Sequence, residues 1–63
     1  MNRQERARAN CKFLKWSKEI DYKEMAKAIG MSENSFYNFI SGRKANLGYS
    51  RIVKLEKYIK ENL

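Results

Sequence analysis

Apolar side chains never run more than two in a row in this chain, yet they recur at intervals of three and four along most of its length. That spacing gathers them on one side of a helix, whose period is about 3.6 residues. It leaves no segment apolar enough for a transmembrane helix or a signal-peptide core. The chain has no proline, and Lys, Glu, Ala, Met and Leu, all good helix formers, are plentiful. The expected fold class is therefore all-α. With 63 residues the chain is one small domain, spanning 1–63. A domain of that size buries only about 60% of its unfolded surface, so its core is thin. Cys11 is the single cysteine and there is no histidine, which leaves neither an intrachain disulfide nor an ordinary structural zinc site. Stability must come from helix packing or from self-association. The unpaired thiol fits a reducing, cytoplasmic setting.

The net charge is +7, and its distribution is uneven. Basic residues exceed acidic ones in the first and last thirds, while the middle, residues 22–42, is balanced between Lys23 and Lys27 and Glu24 and Glu33. On a nucleic-acid binder such flanks hold phosphate while the centre reads something else. Solubility alone would also be served, since it needs a net charge of only roughly 2–8 in a small domain.

Turn signals at Glu19–Asp21, Gly30–Ser32 and Ser41–Gly48 divide the chain into four helices, at about 3–18, 22–29, 33–41 and 47–61. The first carries two apolar stripes: Ala7, Cys11 and Leu14, with Lys18, and Ala9, Phe13 and Trp16, with Ile20. Periodicity does not choose between them. The second opens on Asp21 with Glu24 three residues later, the pattern of a capping box, and ends at Gly30. Met25, Ala26 and Ile29 form its inner face. The third takes Ser32 as N-cap, buries Phe36, Phe39 and Ile40, and stops at Gly42. The fourth, with Asn46 or Ser50 as its cap, turns Ile52, Leu55, Ile59 and Asn62 inward, with Val53 and Tyr58 beside them. Lys54, Lys57 and Lys60 remain outside.

The joint between the second and third helices is the informative feature. Two short helices linked by about three residues cross steeply, which requires small residues at the contact. Ala26 supplies one, and Gly30 supplies the turn. The stretch YKEMAKAIGMSENSFYNFIS resembles the helix-turn-helix of the lambda-repressor-like (Cro/C1, or XRE-type) family. The matching positions are Met25, Ala26, Gly30, Met31, Phe36 and Phe39, and the trailing Ser41–Lys44 is similar to the family's exit from its recognition helix. The resemblance runs from about Leu14 to Ile59.

That resemblance implies a compact four-helix domain whose third helix enters the major groove of double-stranded DNA. The family's base-reading positions fall on Ser32, Glu33, Asn34, Tyr37 and Asn38. The residue types suit the work: Asn pairs with adenine, Glu accepts from cytosine, and Ser serves either role. Asn is also a poor helix former, so two of them on one exposed face go against local preference. Phosphate contacts fall on Tyr22, Ser35, Arg43, Lys44, Asn46 and Tyr49. Arg51 is a weaker candidate, as are Arg3, Arg6 and Arg8 near the start of the first helix.

Three departures stand out. The family often has Gln where this chain has Tyr22, and Gly where it has Glu19. The sequence also ends after four helices, where many relatives carry a fifth.

The implied function is a transcriptional regulator of repressor type, phage- or mobile-element-encoded, cytoplasmic, and working as a homodimer. Tyr58, Ile59 and Leu63, or Phe13 and Trp16, are the expected pairing surfaces. The alternative is a protein-binding module, an antirepressor or inhibitor presenting Phe13, Trp16 and Tyr37 to a protein partner. RNA binding ranks below both. Cys11 reads as a packed residue, because no histidine exists to activate it. No paired carboxylates, phosphate loop or metal spacing is present. No enzymatic activity, cofactor, metal, small-molecule ligand or membrane contact is expected.

Overall fold

A computed structural model describes residues 2–43 and 46–63. It contains four helices: α1 (Arg3–Ser17), α2 (Tyr22–Ala28), α3 (Glu33–Ile40) and α4 (Tyr49–Asn62). There is no strand among the described residues.

Helix α1 starts with a reciprocal cap. The Asn2 side chain accepts from the Glu5 amide at 2.9 Å, and the Asn2 amide donates to Glu5 Oε1 at 3.3 Å. This is the capping box, placed here at α1 and not at α2. Ala7, Cys11 and Leu14 face inward, whereas Phe13 and Trp16 remain 49% and 77% exposed. Packing thus selects the first of the two stripes.

Asp21 has the extended backbone of an N-cap, but its side chain does not cap α2. The expected Asp21–Glu24 box is absent because the Asp21 carboxylate instead faces Lys15, with Oδ1 3.7 Å from Nζ.

Three helix ends close in the same way. Each is followed by a residue in the left-handed region: Glu19 (φ 57), Gly30 (φ 75) and Gly42 (φ 85). After α2, the Met31 amide returns to the Ala26 carbonyl at 2.9 Å and the Gly30 amide to Lys27 at 3.3 Å. After α3, Arg43 returns to Asn38 at 3.0 Å and Gly42 to Phe39 at 3.2 Å. Both are the paired 6→1 and 5→2 bonds of a Schellman ending. Glu19 takes up the same conformation without glycine's freedom.

Helix α4 begins at Tyr49, two residues later than its periodicity suggests, and its N-cap is Gly48, not Asn46 or Ser50. The delay has a cause outside the segment. Gln4 takes both backbone groups of Leu47: its amide nitrogen donates to the Leu47 carbonyl at 3.1 Å, and its oxygen accepts from the Leu47 amide at 3.0 Å. A peptide held in this way from the side is not free to enter a helix.

Phe36 and Phe39 sit at the centre of one core, their ring centroids 6.2 Å apart. Leu14, Met25, Ile29, Ile52 and Leu55 surround them, and no polar side chain is buried among the described residues. Asn62 is half-buried and donates to the Tyr58 carbonyl at 2.8 Å. The radius of gyration of 10.2 Å lies near the about 10.6 Å expected for a folded chain of this length, so the core closes within one copy. Helices α1 and α4 pack along each other and are joined by Arg3 and Glu56, both contacts at 2.6 Å. Helix α3 rests on α2 and α1 and has no close backbone approach to α4 among the described residues. One side of α3 is left open. Among the described residues no helix is long and apolar enough to cross a membrane.

Candidate nucleic-acid interface

The orientation of α3 follows from its own sequence and from two side chains of α1. Phe36, Phe39 and Ile40 are buried, at the i, i+3 and i+4 spacing of one face. At the start, Ser32 Oγ accepts from the Ser35 amide at 3.2 Å. At the end, Arg8 Nε donates to the Phe39 carbonyl at 2.7 Å, and its guanidinium lies 4.4 Å from the Phe39 ring centroid. A cation at a helix C-terminus meets the negative end of the helix dipole. Leu14, in the same core cluster as Phe36 and Phe39, completes the seat.

With that face turned in, Glu33 and Asn34 are exposed, Tyr37 is 50% exposed, and Ser35 and Asn38 are half-buried. Ser32 is exposed, but its hydroxyl is already engaged as the cap. The carbonyl of Asn38 is taken by the Arg43 amide and by Ser41 Oγ at 3.2 Å. The carboxamides of Asn34 and Asn38 make no hydrogen bond among the described residues, so both are available.

Tyr22, Glu33, Asn34 and Tyr37 come together around a recess of about 290 Å³. The Tyr22 ring lies 6.0 Å from Phe36 and 6.3 Å from Tyr37 between centroids, tilted by 52° and 55°. It therefore joins the core to the open face. Lys15 Nζ sits 5.1 Å from the Tyr22 ring centroid and 5.6 Å from that of Trp16. Burial pushes the Tyr22 phenol above its usual value, with Cys11 and Tyr37 adding to the shift. Tyr22 stays a hydroxyl donor at neutral pH.

The remaining phosphate candidates lie beyond α3. Arg43 follows the left-handed Gly42 and is exposed. Lys44 falls outside the described residues. Asn46 is exposed, and Tyr49, at 76% exposed, is the first residue of α4. Helix α4 has no side-chain cap and no acidic residue in its first turn, so among the described residues no side chain covers its leading amides and positive dipole end.

Two of the three arginines of α1, Arg3 and Arg8, are occupied within the chain. Arg3 is bound to Glu56 and lies 5.4 Å from the Tyr49 ring centroid; that bond holds the Glu56 carboxyl below the usual carboxylate range. Arg8 supports α3, as described. Arg6 is exposed and borders a groove between α1 and α4. Of the pairing surfaces expected from the sequence, Ile59 is buried in the core and Tyr58 is half-buried, leaving Leu63 there. Phe13 and Trp16 stay exposed.

Sequence reasoning missed Gln4 and Glu56, and it weighed Arg8 only as a weaker phosphate candidate, not as a support for α3. Their partners lie 43, 31 and 53 positions away, and no local pattern signals such pairings. Asn2 was also missed, although its signal was local: Asn followed by Glu three residues later.

No family model, curated protein or solved structure matches this chain.

Proposed function

We propose that this chain is a sequence-specific regulator that binds double-stranded DNA, with α2 and α3 acting as a lambda-repressor-like helix-turn-helix. Helix α3 lies in the major groove. The observation that carries this reading is the division of α3: its apolar residues all face the core, and Glu33, Asn34 and Tyr37 gather with Tyr22 on its open side. Glu33, Asn34, Tyr37 and Asn38 touch base edges, and Ser32 sets the helix start. Tyr22, Ser35, Arg43, Lys44, Asn46, Tyr49 and the open end of α4 hold phosphate. The protein works in the cytoplasm as a homodimer on two half-sites about 34–36 Å apart, the spacing of one helical turn of DNA.

The test is selection of bound duplexes from a random pool, followed by binding measurements at several salt concentrations. A regulator enriches one sequence, prefers it by about 10³-fold or more over bulk DNA, and loses affinity steeply with salt. Asn34→Ala should weaken the selected site by about 1–3 kcal/mol and relax preference at one base pair, whereas Arg43→Ala should weaken all sequences alike. Equal losses on selected and random DNA for Asn34→Ala would remove it from the reading set.

The exposed Phe13 and Trp16 favour a second reading, an antirepressor or inhibitor that docks on a protein through this aromatic surface. Failure to enrich any sequence would favour it.

A further inference from the structure

The recess beside α3 has two kinds of wall. Tyr22 and Tyr37 offer tilted aromatic rings, while Glu33 and Asn34 offer polar groups. The major groove presents few apolar groups, and the prominent one is the methyl on C5 of a pyrimidine. In thymine that methyl stands beside O4, an acceptor. In 5-methylcytosine it stands beside the 4-amino group, a donor. A carboxylate accepts and cannot donate, whereas a carboxamide does both.

We infer that the Tyr22–Tyr37 recess seats the C5 methyl of a pyrimidine, with Glu33 selecting 5-methylcytosine ahead of thymine. This rests on the DNA-binding reading above and adds a chemical identity to one position of the site. Tyr37 forms its half-exposed wall, and Tyr22, packed on Phe36, forms its fixed wall. The Glu33 carboxylate accepts from the 4-amino group of methylated cytosine and faces thymine O4 unfavourably. Asn34 is left for the adjacent base pair. A target site would then change affinity when one cytosine is methylated, with no change in base sequence.

The experiment uses the duplex selected from the random pool, with C, 5-methylcytosine, T or U placed in turn at each pyrimidine position. Dissociation constants are read by fluorescence anisotropy at one salt concentration. At one position 5-methylcytosine should bind about three- to five-fold tighter than C, and T tighter than U by a similar factor, as expected for burying a single methyl. 5-Methylcytosine should also bind tighter than T there. Tyr37→Ala should abolish both methyl ratios; because Tyr37 is half exposed, helical circular dichroism should confirm that the fold is retained. Tyr22→Phe should keep the ratios, since the ring remains. Glu33→Gln should narrow the gap between 5-methylcytosine and T, because Gln can donate to O4.

Methyl ratios below two-fold at every position, or ratios that survive Tyr37→Ala, would overturn the inference and leave DNA binding standing. A pool that yields no selected duplex overturns both.

Discussion

Truncating Gln4 tests whether a side chain at the start of α1 governs the backbone 43 positions away. Gln4 satisfies the amide and the carbonyl of Leu47, a residue buried to 5% exposure. In Gln4→Ala both groups lose their partner. An unsatisfied buried backbone group costs about 1–3 kcal/mol. Gln4 itself is half-buried, so water partly replaces it and the lower end applies to each group, giving about 2 kcal/mol in all. A domain of this length has roughly 3–9 kcal/mol of total stability, so the loss is a substantial fraction. The melting temperature should fall by about 8–16 °C. Gln4→Met keeps length and helix propensity while deleting both bonds, and should lose nearly as much. Urea unfolding followed by circular dichroism gives the values directly. Unfolding free energies for both variants within about 0.5 kcal/mol of the parent, the scale of ordinary surface changes, would refute the idea that Gln4 fixes the 46–48 segment. If the idea and the proposed DNA binding both hold, Gln4→Met should also weaken that binding without changing sequence preference, because Asn46 and Tyr49, proposed to hold phosphate, lose their setting.

Other outcomes follow from the same structure. Glu19 occupies a left-handed conformation that costs a non-glycine residue about 1–2 kcal/mol, so Glu19→Gly should raise stability by up to about 1 kcal/mol after glycine's greater chain entropy is counted; a lower urea midpoint would contradict this. Cys11 is fully buried, and burial pushes its thiol from 9.0 up to about 12, so labelling by a thiol reagent at neutral pH should proceed only as fast as the chain unfolds. The same shift sets a pH dependence: its contribution to stability is complete below pH 9 and is lost as pH rises through the folded value. Denaturation titrations in which Cys11→Ala shows an unchanged alkaline decline would assign that decline to other groups.

The parts of the fold that were legible in the sequence are those whose causes are local. The start, face and end of α3 follow from Ser32, from the spacing of Phe36, Phe39 and Ile40, and from Gly42. The inner face of α2 and the turn at Gly30 are equally local. Apart from the local cap at Asn2, most of what escaped depends on contacts beyond the local pattern. Two stripes of α1 were equivalent until packing chose Ala7, Cys11 and Leu14. The start of α4 moved because Gln4 holds Leu47. Asp21 gave up its cap to face Lys15. For the candidate site, the identities of Glu33, Asn34 and Tyr37 were readable, but their meeting with Tyr22 was not, since it needs the α2–α3 packing. The departure at Tyr22 marked a difference without saying what the ring does.

The way α3 is mounted has a consequence for how this chain changes over generations. Three residues, Phe36, Phe39 and Ile40, anchor the helix, and Arg8 grips a backbone carbonyl that any residue would offer. Glu33, Asn34 and Tyr37 take no part in that mounting. Replacements there leave the scaffold intact, so selection can alter what the helix meets one codon at a time, without first passing through an unstable intermediate. Helix α3 is an exchangeable part on a fixed holder.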